Sequence, residues 1–200
     1  CISPRKLTGS IRAIASKSQA HRYLICAALA DKQTTIVCNE TNQDIEATVN
    51  CLRSLSAVIE RVENCYIVTP ISALPNSADL NCCESGSTLR FMLPIVAALG
   101  VDATFHMSGR LPKRPLSPLW ETLEANGCHL TRPTEATLRC TGKLQPGKFC
   151  IEGNISSQFI SGLLFAGTLI PGQTKITVTG KLESKPYVDM TKAMLQQFGV

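Results

Sequence analysis

Three times along these 200 residues, at a period of roughly 70, a short hydroxyl-rich stretch leads directly into a long apolar run. Ser16-Lys17-Ser18 opens an apolar segment reaching residue 30, Ser85-Gly86-Ser87-Thr88 opens one over 89–99, and Ser156-Ser157-Gln158 opens one to about 169. Each opening has the chemistry of a helix start, where a serine oxygen accepts from backbone amides that no helical carbonyl satisfies. The runs are apolar on nearly every face, so the helices must be buried. One such opening is ordinary capping. Three in register predict three buried helices whose amino ends meet on one rim. Free amides and the positive ends of three helix dipoles would make that rim an anion site.

The composition permits such a core. The hydrophobic fraction is 44% and the charged fraction only 18%, which excludes a disordered chain. The net charge is +5, but the cations are scattered and rarely lie beside the few aromatics. This favours small anionic ligands over a nucleic-acid groove. The ten cysteines form no CxxC pair, Cys82 and Cys83 are adjacent, and Cys26, Cys38 and Cys150 sit in apolar runs as small core residues. Free thiols and a reducing, cytoplasmic compartment are expected. With three histidines in no ligand pattern, no zinc site and no metal is expected. No apolar run reaches membrane-spanning length and there is no signal peptide, so no membrane association is expected. The chain opens on Cys1 and closes on Phe198-Gly199-Val200, where a strand ought to follow, so it reads as a fragment.

Taken in order, periodicity predicts a helix over 17–30, a strand over 34–38, a helix over 43–54, and strands over 57–62 and 65–68 joined at Glu63-Asn64. A second round predicts a strand over 78–82, a helix over 89–99 interrupted by Pro94, and a strand over 103–107. A helix over 118–125 and a strand pair over 128–131 and 137–140 complete it. A third round predicts a strand over 148–152, the helix from Ser156, a strand over 175–179 and a helix over 186–197, without a closing strand pair. The stretch 1–15, with Ile2, Leu7, Ile11 and Ile14, could supply a strand or two but has no clear partner.

Beyond Lys17 and Arg22, three other places carry chemistry. Ser108 to Pro115 is a proline-stiffened loop holding Arg110, Lys113 and Arg114, and arginine suits a bidentate grip on carboxylate or phosphate. Arg90 lies one turn into an apolar helix, where an unpaired charge is costly, and Glu84 and Asp79 are its candidate partners. Glu183-Ser184-Lys185-Pro186-Tyr187 offers a hydroxyl, an ammonium and a phenol, or a plain cap with Pro186 first in the helix. There is no Ser/His/Asp or Cys/His set, no phosphate-binding GxxxxGK[ST] and no GxGxxG. His21, His106 and His129 read as surface or satisfied core residues. No carboxylate pair stands out as acid and base, so the chain is rich in binding groups and poor in proton-transfer groups.

Five of these segments, in register over essentially the whole chain, resemble the motifs of the 5-enolpyruvylshikimate-3-phosphate synthase family (3-phosphoshikimate 1-carboxyvinyltransferases). Ser16-Lys17-Ser18-x-x-x-Arg22 is similar to its SKS-x-x-x-R motif, and Ser85 to Arg90 to its N-A-G-T-x-x-R loop. Arg110 to Pro115 resembles R-x-x-x-R-P, Ser156 to Phe159 resembles SSQ-[FY], and Ser184 to Tyr187 resembles SKPY. The resemblance implies an α/β (α+β) fold: a pseudo-threefold repeat of βαβαββ units around buried helices, an inside-out α/β barrel with its third unit truncated. Residues 1–15 would belong to the other domain or the hinge. Residues 16–200 would form the first domain, in units of about 16–72, 78–142 and 148–200.

The implied reaction transfers the enolpyruvyl group of phosphoenolpyruvate to the 5-hydroxyl of shikimate 3-phosphate and releases phosphate, with no cofactor. By motif, Lys17 would be catalytic and touch both substrates. Ser18, Arg22, Ser156, Ser157, Gln158, Ser184 and Tyr187 would hold shikimate 3-phosphate. Gly86 and Arg110 would hold phosphoenolpyruvate, with Gln158 shared. The partners implied are these two substrates and the missing second domain, which carries the aspartate base, a Lys/Glu acid–base pair and further arginines. A monomer is expected. Glu84 stands where many members have Asn, His21 where many have Asn, and Phe91 where many have Pro. Three other readings compete. A sister enolpyruvyl transferase acting on UDP-N-acetylglucosamine would carry a Lys-Asn pair in place of Lys17-Ser18. A non-enzymatic scaffold would bind an acidic partner through residues 110–114. An RNA-phosphate cyclase would need a basic, aromatic surface.

Overall fold

A computed structural model describes residue 6, residues 8–11 and residues 13–200. The strand expected from Ile2 and Leu7 lies outside the described residues, while Ile11 and Ile14 are exposed and in no regular element. Three sheets follow one another along the chain. Strands β1 (Thr34–Val37), β2 (Val58–Val62) and β3 (Cys65–Thr69) form an antiparallel sheet in the order β1-β3-β2. Strands β4 (Ser77–Cys83), β5 (Asp102–Met107), β6 (Cys128–Thr134) and β7 (Thr137–Gly142) lie in the order β4-β5-β7-β6. Within it β4 runs parallel to β5, and the other pairings are antiparallel. Strands β8 (Lys148–Glu152) and β9 (Lys175–Thr179) are a parallel pair.

The helices are α1 (Lys17–Leu29), α2 (Gln43–Ser54), α3 (Gly86–Leu99), α4 (Leu119–Glu124), α5 (Ser157–Gly167) and α6 (Lys185–Gln197). The run β4-α3-β5-α4-β6-β7 is a complete βαβαββ unit, and α1-β1-α2-β2-β3 repeats it from its first helix onward. The three apolar helices α1, α3 and α5 form the middle of the core. Leu24, Ile25, Met92, Leu93, Ile95, Phe159 and Phe165 are buried there. The strands bury alternate residues against this centre, as period-two pleating requires. In β4 the inward set is Ala78, Leu80 and Cys82.

Two expectations need correction. Pro94 does not interrupt its helix: α3 runs through it without a break. A proline removes the bond to the carbonyl four residues back, here Arg90. That freed carbonyl is covered by α5 at Gly162, where any Cβ would collide with the Arg90 oxygen. The glycine therefore sets the closeness of α3 and α5, whose contact is the most extensive between helices. Cys150 is not a core residue. In β8 it lies between the buried Phe149 and Ile151, so pleating turns it outward. Every described cysteine is free, as expected. Among the described residues no helix is long and apolar enough to cross a membrane.

Candidate anion-binding site

The three predicted caps form. Ser16 Oγ accepts from the amide of Gln19 at 3.4 Å, Ser85 Oγ from Thr88 at 3.3 Å and Ser156 Oγ from Gln158 at 3.2 Å. The amino ends of α1, α3, α5 and α6 then face one cavity of ≈ 400 Å³. It is lined by Lys17, Ser18, Arg22, Ser87, Phe91, Arg114, Ile155, Ser156, Ser157, Gln158, Ser184 and Tyr187. Among the sequence-predicted site residues all but Gly86 and Arg110 are on this wall. No carboxylate lines the cavity among the described residues, so its field is one-signed and suits an anion. A larger groove of ≈ 770 Å³ lies behind residues 109–117, but it mixes Glu121 and Glu135 with its cations and shows no comparable bias.

Lys17 is half-exposed, and its ammonium donates to Asp44 Oδ2 at 2.6 Å. Asp44 belongs to the first turn of α2 and holds the lysine at the cavity edge. Arg22 is 2% exposed and, among the described residues, pairs with no carboxylate. Its Nε donates to Thr191 Oγ1 at 2.7 Å and Nη1 to the Ser18 carbonyl at 2.7 Å. Nη2 donates to Ser161 Oγ and the Tyr187 carbonyl, both at 3.1 Å. The guanidinium also sits over the Phe91 ring, 5.0 Å from its centroid. Burial lowers its pKa to about 10. A guanidinium has five donors and four are engaged, so Arg22 mainly knits the cavity wall and keeps one donor for a ligand.

Ser184 caps α6 in the left-handed region at φ 53, without a side-chain capping bond, and Lys185 rather than Pro186 is the first helical residue. A non-glycine there is strained, and its hydroxyl is left free at the cavity. Tyr187 lies half-exposed at the mouth.

Gly86, the first residue of α3, sits against two guanidinium heads. A Cβ there would come within 2.5 Å of Arg114 Nη1 and 2.7 Å of Arg90 Nη1. Arg90 is not paired with Glu84 or Asp79. Its Nη1 donates to Gln158 Oε1 at 3.0 Å and its Nη2 to the Pro115 carbonyl at 3.1 Å. Asp79 instead meets His106 at 2.8 Å on the exposed face of β4. Glu84 Oε1 accepts from the Arg110 amide at 3.1 Å and lies 3.8 Å from Arg110 Nε. Glu84 leans on Gly109, whose φ of +57 and lack of a side chain make room for the carboxylate. Arg110 is thereby held outside the cavity with its side chain 94% exposed. Arg114, which sequence reasoning counted only as one cation of the loop, lines the cavity in its place. The 3-10 turn Leu111–Lys113 separates these two arginines and faces them different ways, a feature that loop composition does not signal.

Fold and site together define a mixed α/β protein of buried, serine-capped helices around a cationic, hydroxyl-lined cavity suited to a small anion. The chain belongs to the EPSP synthase family: the family model described as EPSP synthase (3-phosphoshikimate 1-carboxyvinyltransferase) matches residues 2–200. It is 41% identical to the 3-phosphoshikimate 1-carboxyvinyltransferase of Clostridium kluyveri, covering 100% of this chain and 47% of that protein. It is 39% identical to the enzyme of the same name from Clostridium beijerinckii, covering 100% of this chain and 48% of that protein. The chain thus spans about half the length of the curated relatives it matches. Among solved structures, an EPSP synthase from Acinetobacter baumannii superposes with a TM-score of 0.78 at 23% identity, over 96% of this chain and 44% of that one, a likeness of fold.

Proposed function

We propose that this chain supplies one half of an enzyme that transfers the enolpyruvyl group of phosphoenolpyruvate to the 5-hydroxyl of shikimate 3-phosphate, with release of phosphate. The observation that carries this reading is the gathering of Lys17, Ser18, Arg22, Ser156, Ser157, Gln158, Ser184 and Tyr187 around one cavity without a lining carboxylate. In this reading the serine hydroxyls, the free amides of α1 and α5 and the spare donor of Arg22 hold the phosphate and ring oxygens of shikimate 3-phosphate. Lys17 faces both substrates and offsets charge as the enolpyruvyl group moves. Gly86 would hold phosphoenolpyruvate through the amino end of α3, and Arg110 would have to leave Glu84 to reach it. Positioning and electrostatic stabilisation are the contributions these groups can make. Proton transfer falls to the other half, as does the pairing of residues 1–15, with 16–200 forming one domain of three units. Free thiols fit a reducing compartment, the cytoplasm.

The test is a titration of the chain with shikimate 3-phosphate, following backbone amide resonances. Shifts are expected at Ser18, Ser157 and Tyr187, and their absence would mean that the site is wrongly assigned. Carboxyvinyl transfer by the 200-residue chain alone is expected to be undetectable. Measurable turnover would overturn the assignment of proton transfer to another half.

A further inference from the structure

Away from the cavity, two pairs of thiols meet inside the protein. Cys51 of α2 and Cys82 of β4 are both fully buried, and the Cys51 thiol donates to the Asn81 carbonyl at 3.5 Å. Cys128 of β6 and Cys140 of β7 both face the core on neighbouring strands. Within each pair the side chains are in hydrogen-bonding contact. In the second pair the ladder sets Gly142 opposite Cys128 and Leu130 opposite Cys140. Gly142 offers no side chain, so the Cys128 thiol meets Cys140 on the diagonal. Diagonal residues have Cα atoms about 7–8 Å apart, beyond the limit of about 7 Å for a disulfide without backbone movement. The two sulfurs therefore touch without being placed to join. One thiophilic atom bridging them would keep them near contact distance and leave the strands where they are.

The surroundings select that atom. Contact with Cys128, and then burial, push the Cys140 thiol up, so it stays neutral. Two thiolates around a monovalent soft ion would bury a net negative charge, which is costly in the core. Trivalent arsenic avoids that cost. On arsenous acid, As(OH)3, each sulfur replaces one hydroxyl, and each thiol proton leaves with that hydroxyl as water. The product is neutral, one hydroxyl stays on arsenic, and nothing is oxidised or reduced.

Access differs between the pairs. β6 is an edge strand, and Cys128, 6% exposed, is its first residue, just after Gly127. The end of an edge strand opens at low free energy. Opening there uncovers both thiols together and gives the remaining arsenic hydroxyl a path to water. Cys82 lies on the opposite edge strand, but α2 packs along it and both Cys51 and Cys82 are 0% exposed.

We propose that Cys128 and Cys140 form a dithiol site that captures trivalent arsenic across β6 and β7. The site uses no residue of the proposed reaction and stands or falls separately from it.

The test is incubation of the folded chain with sodium arsenite under a phosphine reductant, followed by desalting and measurement of the intact mass. One arsenic per chain is expected. A brief pulse of iodoacetamide in urea should then label Cys51, Cys82, Cys83 and Cys150 and spare Cys128 and Cys140. Cys128→Ala and Cys140→Ala should each weaken arsenite binding about 100-fold or more, because one thiol cannot chelate. Cys83→Ala combined with Cys150→Ala, which removes two exposed thiols, should bind within about twofold of the parent. Bound arsenite should also slow amide exchange over residues 128–134, since it staples β6 to β7. If either core variant fails to fold, the labelling pattern of the parent decides alone. Loss of arsenic from the folded parent on desalting, or labelling of Cys128 and Cys140 in the loaded chain, overturns the proposal. So does protection of Cys51 and Cys82 in their place.

Discussion

His21 is fully buried one turn behind the cavity, between the charges of Lys17 and Arg22. Its Nδ1 meets Thr48 Oγ1 at 2.7 Å, and a run of hydroxyls continues through Thr88 to Ser85, tying α1, α2 and the cap of α3 together. Nε2 has no partner. Burial, opposed by Asp44 and aided by Lys17 and Arg22, lowers the ring from 6.5 to about 4. Above pH 6.5 the ring is neutral in both the folded and unfolded chain, so the stability linked to it is fully present. Below 6.5 the unfolded chain takes up a proton that the core refuses, and stability falls until the folded ring titrates near 4. The loss linked to this one group is about 3 kcal/mol. Urea unfolding at a series of pH values should show this slope in the parent and lack it in His21→Asn. Lys17, Ser18 and Ser157 were legible from the sequence because they sit at helix openings, where local spacing determines what faces outward. Ser87 and Arg114 were not, because their directions depend on Gln158 and on a turn whose partners are distant in the chain.

Arg22 joins elements that are far apart in the chain: it rises from α1 and bonds to Ser161 in α5 and to Thr191 and Tyr187 in α6. Three helix amino ends therefore share one cation. Lysine carries the charge but cannot fork to several acceptors. Arg22→Lys is expected to cost about 2–4 kcal/mol of stability, read as a lower urea midpoint with an unchanged slope. It should also disturb amide resonances in α6 as well as in α1. The same principle explains the misassigned partner of Arg90. Charge pairing along the sequence suggested Glu84 or Asp79, yet the Pro115 carbonyl and a side-chain amide from another helix accept from it instead. Helix limits themselves were largely legible, since caps and apolar periodicity are local. Pro94 misled because α3 is held straight through it by packing against α5, closest at Gly162, on a helix more than 60 residues later in the chain.

Across the molecule the helices contact one another in a closed circuit, α1 with α2, α2 with α3, α3 with α5, α5 with α6 and α6 with α1. Protection is nonetheless uneven. In α3 nearly every residue is buried, whereas among the described residues β9 pairs only with β8, and its central residues are half-buried. A strand with one open edge and little burial opens at low free energy. Native-state hydrogen exchange should find the slowest amides in α3 and the central strand β5, and the fastest strand amides in β9. Equal protection of β9 and β5 would contradict this account.

What the sequence determined by itself was everything that depends on neighbours along the chain: the three capped, apolar helices, the pleated strands between them, and the residues presented at each helix opening. These follow from backbone hydrogen bonding and from the need to bury apolar faces, which act over a few residues. The tertiary structure alone decided which arginine enters the cavity, which partners satisfy the buried guanidinium groups, and which thiols touch. Those outcomes turn on donors and acceptors brought together from distant segments, and only packing decides which of them meet.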